Sequence, residues 1–156
     1  MATEQEKNAN RARLWGLTVI GMTLGIWDMV QESSTSLSPQ IGQAILGEIE
    51  KTLGLEVAGE QPETILVELG RIFVDEYGFA TEAKVEKTGN QLRVTLCNAV
   101  GIPEFSAMME KGVEKVFSNP FYCAGLAALS RQGSKARGNI EIDKAAKSYI
   151  VTFELL

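Results

Sequence analysis

Residues 79–97 read "FATEAKVEKTGNQLRVTLC", and the spacing of their apolar side chains decides the fold. Phe79, Thr81, Ala83 and Val85 alternate with Ala80, Glu82 and Lys84, while Leu92, Val94 and Leu96 alternate with Arg93, Thr95 and Cys97. A period of two belongs to a strand with one buried face, and "KTGNQ" between the runs joins them as a hairpin. A second pair closes the chain. In "NIEIDKAAKSYIVTFEL", residues 139–155, Tyr149, Val151 and Phe153 oppose Ile150, Thr152 and Glu154 around a short "DKAAK" turn.

Helical spacing fills the rest. Helix one is expected from about Arg11 to Gln31, after a polar, disordered tail over residues 1–10. It is apolar almost all round, so it must be covered on several sides, by the domain or by another copy of it. Pro39 suits the first position of a second helix, in which Ile41, Ile45, Ile49 and Leu53 form a stripe and Gly54 offers a left-handed cap. Pro62 opens a third, with Ile65, Leu66, Leu69, Ile72, Phe73 and Tyr77 on one face and Glu63, Glu68, Arg71 and Asp75 on the other. A fourth starts near Pro103 and carries Phe105, Met108, Met109, Val113, Val116 and Phe117 until Asn119-Pro120 interrupts it. The last, "PFYCAGLAALSRQG", ends near Gly133. Two hairpins can join into one sheet. The expected class is α+β: a four-stranded antiparallel sheet with helices on one face and N-terminal helices preceding it.

Composition narrows the chemistry. At 156 residues the chain is one domain long, with N-terminal helices over residues 11–60 and the core over 61–156. Its net charge is -5, and ten acids against four bases lie between Glu48 and Lys87, so nucleic acid is not an expected partner. The basic residues Arg131, Lys135, Arg137, Lys144 and Lys147 lack interleaved aromatics and read as a solvated surface. There is no histidine, and Cys97 and Cys123 are the only cysteines, which leaves no zinc set and no imidazole base. No phosphate-binding fingerprint occurs, and "GSKARG" at 133–138 reads as a turn. No cofactor, metal or catalytic residue is expected. The apolar run Leu14–Trp27, "LWGLTVIGMTLGIW", is shorter than the about 20 residues a membrane span needs. With no cleavable leader in view and both thiols unpaired, cytoplasmic residence is the expectation.

The second half of the chain resembles a known family. The segments "ILVELGRIFVDEYGFATEAKVEKTGNQLRVTLCNAV", "NPFYCAGLAAL" and "GNIEIDKAAKSYIVTFEL", roughly Ile65 to Leu156, are similar in order and motif to the 4-vinyl-reductase-like domain, also described as hydrocarbon-binding. That fold is shared with the transport-particle subunits of vesicle tethering. The resemblance implies a four-stranded sheet with packed helices, a homodimer and an apolar cavity for a small hydrophobic ligand. Relatives carry several cysteines near the helix start and in the final hairpin. Here that hairpin reads "KAAKSYIVTF" without a thiol, which counts against a metal role.

Candidate ligand-binding residues are Phe105, Met108, Met109, Phe117, Phe121, Tyr122 and Cys123. Methionines and aromatics build adaptable apolar walls, although each also reads as ordinary core. Tyr122 would add one polar handle. Cys123 reads first as a small buried apolar group and second as a thiol activated by the first turn of its helix; an acyl-thioester is open for either cysteine. Glu63, Glu68, Asp75 and Glu76 read as a solvated face. Trp15 and Trp27, about 120° apart on the first helix, face different neighbours, one in the core and one in a dimer contact. The function expected is non-catalytic binding of a small hydrophobic or acyl-type ligand. Alternatives are an assembly subunit docking through the first helix and, last, a tetrapyrrole-related enzyme.

Overall fold

A computed structural model describes residues 2–156. Its sheet runs in the order β1 (Glu82–Thr88), β2 (Gln91–Cys97), β4 (Ser148–Leu155), β3 (Ala136–Asp143), all neighbours antiparallel. The two hairpins therefore meet through their later strands, with Val94 opposite Val151 at the centre. Leu92, Val94 and Leu96 are fully buried, as are Tyr149, Val151 and Phe153, so one face of the sheet belongs to the core. The helices α3 (Pro62–Arg71) and α5 (Pro120–Arg131) cover that face. This is the α+β arrangement expected from the two periods in the sequence.

Behind α5 lies α2 (Ser38–Leu53). Its buried residues are Ser38, Gly42, Leu46 and Ile49, a stripe turned by one position from the expected isoleucines. Gly42 explains the shift, because the backbone of α5 sits where a side chain would be: a Cβ at Gly42 would overlap the Cys123 carbonyl. Ile41 and Ile45 are left half-buried beside that contact. Gly54 closes α2 in the left-handed conformation expected of it, φ 66°, donating to Glu50 O.

Three expectations about helices need correction. The first helix, α1, spans Glu4–Val30, so most of the stretch read as a disordered tail is helical. Thr3 Oγ1 accepts from the Glu6 N–H at 3.2 Å and the Glu6 carboxylate accepts from the Thr3 N–H at 2.7 Å, a capping box that starts the helix seven residues early. The fourth, α4, spans only Ile102–Glu110. Gly112 follows at φ 98°, and Val113, Val116 and Phe117 are buried from non-helical chain. Finally, α3 ends in one wider turn over Ile72–Glu76, which rotates Tyr77 off the buried face to half exposure.

Most of α1 stands on the surface. Among the described side chains of α1 only Thr23 and Trp27 are buried, at 2% and 4% exposure, and a short turn, Gln31–Leu37, leads from the helix into α2. Among the described residues no helix is long and apolar enough to cross a membrane.

Candidate functional site

An apolar cavity of about 670 Å³ lies under α1. Gly16, Ile20 and Thr23 of α1 face it, because spacings of three and four place them on the side turned toward the body. Opposite them, α2 contributes Ile41 and Ile45, the two isoleucines left over by its packing on α5. Phe105 and Met108 of α4 form one wall with Phe79, and Phe117, Ser118 and Pro120 form the floor. Phe79 is anchored for this position by an edge-on Phe73 ring at 5.4 Å and a stacked Tyr149 ring at 6.1 Å.

Polar groups in the cavity are few and ordered. Thr23 Oγ1 donates to Val19 O at 2.8 Å, so the Ser118 hydroxyl, 2.9 Å away, donates to Thr23. That leaves the Ser118 oxygen with acceptor capacity facing the space. The charged residues that line the cavity, Arg13 and Glu104, are exposed and stand at its rim. An uncharged interior with charge confined to the mouth accommodates a chain with a polar end.

The seven residues proposed from the sequence divide into three groups. Phe105, Met108 and Phe117 line the cavity together. Phe121 and Cys123 are fully buried on α5, outside the cavity lining; the Phe121 ring meets Phe73 edge-on at 5.2 Å. Met109 is 42% exposed and Tyr122 belongs to a separate groove of about 470 Å³ beside β3, neither lining the larger cavity. The Tyr122 hydroxyl donates to Gly138 O at 3.3 Å, and burial pushes its pKa up to about 12.

The thiols are accounted for separately. Cys123 Sγ donates to Phe117 O at 3.1 Å, and burial pushes the thiol up to about 12, so it is protonated and turned away from solvent. The Phe117 carbonyl also accepts from Ser38 Oγ at 2.8 Å. Cys97, half-exposed at the end of β2, does not line the cavity either. Two of the basic residues grouped in the sequence are ion-paired: Arg131 holds Glu50 at 2.7 Å, and Lys144 holds Glu110 at 2.8 Å.

Sequence reasoning missed the contributions of Gly16, Ile20, Ile41 and Ile45. The available signal was the all-round apolarity of α1, a helix with more apolar surface than one contact can absorb.

No protein-family model and no characterised protein sequence matches the chain. Solved structures do. The trafficking protein particle complex subunit 3 from Naegleria fowleri, in a crystal structure covalently bound to palmitic acid, superposes with a TM-score of 0.67 at 10% sequence identity, over 95% of this chain and 96% of that one. At that identity the likeness is one of fold, and the fold is the transport-particle fold that the sequence resemblance implied. The 4-vinyl-reductase-like half of the resemblance rests on the sequence motifs alone.

Proposed function

We propose that this chain is a non-catalytic, cytoplasmic binder of a single-chain amphiphile, held non-covalently in the cavity under α1 with its polar end at Arg13. The observation that carries this reading is the cavity itself: its volume is within the roughly 300–1,000 Å³ of small-molecule sites, and its interior is apolar. From Arg13 to Ile26 the α1 wall extends about 20 Å at 1.5 Å per residue, the scale of an extended fatty acyl chain. The palmitic acid in the similar trafficking subunit supports the ligand class. Attachment here is non-covalent, because neither Cys97 nor Cys123 lines the cavity and the Cys123 thiol is protonated.

Calorimetry or native mass spectrometry of delipidated protein with palmitate tests the proposal. One palmitate per chain is expected, unaltered in a Cys97→Ser, Cys123→Ser variant. Each methylene removed from the ligand should weaken binding about fourfold, about 0.8 kcal/mol. Gly16→Phe, which fills space that is open within 4 Å of that glycine, should abolish binding in a folded protein. Absence of binding at a palmitate concentration of about 100 μM, equivalent to less than roughly 5 kcal/mol, sinks the reading.

A second reading, an assembly subunit that docks through α1, is favoured by a different observation. Leu14, Trp15, Leu17, Met22 and Met29 of that helix are each more than half exposed. The two readings are compatible, since Leu14, Trp15, Leu17 and Met29 do not line the cavity, although Met22 does.

A further inference from the structure

The strand β3 changes character at its midpoint. Residues 135–138, "KARG", are basic or small, residues 140–143, "IEID", are acidic or large, and Asn139 separates them. Alternation places Lys135, Arg137, Asn139, Glu141 and Asp143 on the exposed face of the sheet, with Ala136, Gly138, Ile140 and Ile142 half-buried on the other. Among the described residues none of the four charged side chains is ion-paired.

This strand is also an edge, paired only with β4. The Leu156 N–H donates to Lys135 O at 2.9 Å, and alternation from that bond turns the backbone groups of Arg137, Asn139 and Glu141 toward β4. Those of Ala136, Gly138, Ile140 and Ile142 therefore point to the open side. Among the described residues only the Tyr122 hydroxyl bonds to this row, at Gly138 O. The register runs from Ala136 to Asp143 without a bulge, and no proline blunts the edge. Beside the small half of the strand lies the groove of about 470 Å³ lined by Val116, Tyr122 and Leu126.

We propose that β3 pairs edge to edge with β3 of a second copy, antiparallel, with Asn139 on the two-fold axis. In that register Arg137 stands directly opposite Glu141 of the other copy and Lys135 opposite Asp143, and the symmetry makes each pairing twice. On the other face Gly138 meets Ile140 and Ala136 meets Ile142, so the isoleucines of each copy enter the groove beside the small half of its mate. Size and charge are thus complementary in the same register. The pairs Gly138–Ile140 and Ala136–Ile142 also exchange backbone hydrogen bonds, and Gly138 O, with two lone pairs, keeps its bond from Tyr122. A parallel pair in register would set Arg137 beside Arg137 and Ile140 beside Ile140. The contact is separate from docking through α1: β3 packs on β4 and α5, and none of its residues lines the cavity.

Sedimentation equilibrium on the full chain at about 100 μM should show a dimer. Arg137→Glu and Glu141→Arg should each weaken it at least about fivefold, because two opposite-charge pairs become two like-charge pairs. Mixed together, the two variants should pair with each other, and the chain carrying both substitutions should regain its dimer. In a Cys97→Ser background, Asn139→Cys should give a disulfide-linked dimer under mild oxidation, since residues opposite each other on the axis have Cα atoms about 4.5 Å apart, whereas Arg137→Cys should not. A dimer that neither charge variant weakens, or that Asn139→Cys fails to trap, belongs to another face such as α1 and overturns the proposal. A chain that stays monomeric overturns it as well and leaves the edge to a strand of another protein. Palmitate binding should be unchanged in every variant, so none of these outcomes alters the test of the acyl cavity.

Discussion

Cys123 shows how position decides the chemistry of a side chain. It sits in the first turn of α5, where the helix dipole favours a thiolate, yet burial outweighs that influence and raises the thiol to about 12. The residue is fully buried, which leaves no approach for a reagent. An aromatic disulfide reagent should therefore titrate Cys97 in the native protein and Cys123 only after unfolding. Fast modification of two thiols in the native state would contradict this. Glu50 supplies a second case. Its hydrogen bond from Arg131 outweighs burial and, with the Val57 N–H, lowers its pKa below the ordinary 4.5. A depressed carboxylate contributes stability that is present above its unfolded pKa and is lost as pH falls through the folded value. Glu50→Gln should accordingly be less stable than wild type at neutral pH, with the gap closing below pH 4.5 in acid-denaturation curves. Arg131 is 37% exposed, so solvent screening keeps the effect modest.

At the level of elements, the strands were readable because their signal is local. Leu92, Val94 and Leu96 announce a buried face within five consecutive residues, and the structure buries each of them. The helix limits were harder, and each error has a physical source. Apolar residues at Val113, Val116 and Phe117 imitate a helical face, but Gly112 adopts a left-handed backbone and the burial is achieved by irregular chain. The start of α1 was encoded in Thr3 and Glu6, a capping signature of two residues set in an otherwise polar segment. The cavity was the least legible feature, since Ile41 and Ile45 have the same spacing whether they fill a core or border a void. Only the α2–α5 packing separates the cases. Gly42→Ala tests that contact: overpacking there should cost about 1–3 kcal/mol. Thermal unfolding would register this as a fall of several degrees, whereas an unchanged transition would mean that the helices are not in close contact.

For the molecule as a whole, the sheet with α2, α3 and α5 forms a packed unit, and α1 is attached to it at few points. Thr23 bonds Ser118, Trp27 enters the core, and the remainder of the inward side borders the cavity. Palmitate filling that space would add apolar contact to a helix that otherwise has little. Amide hydrogen exchange over residues 13–26 should slow on addition of palmitate, with the sheet amides unaffected. Equal protection with and without the fatty acid would separate α1 from the ligand.

The sparse attachment of α1 bears on how occupancy is communicated. Loading the interior would steady the same helix whose far side is free to meet another molecule, so one rigid rod would carry news of a hidden guest to the exterior. Vacant and filled forms would then differ in the readiness of their N-terminal segment to join a neighbour, and supply of the guest would set how much of the population is paired.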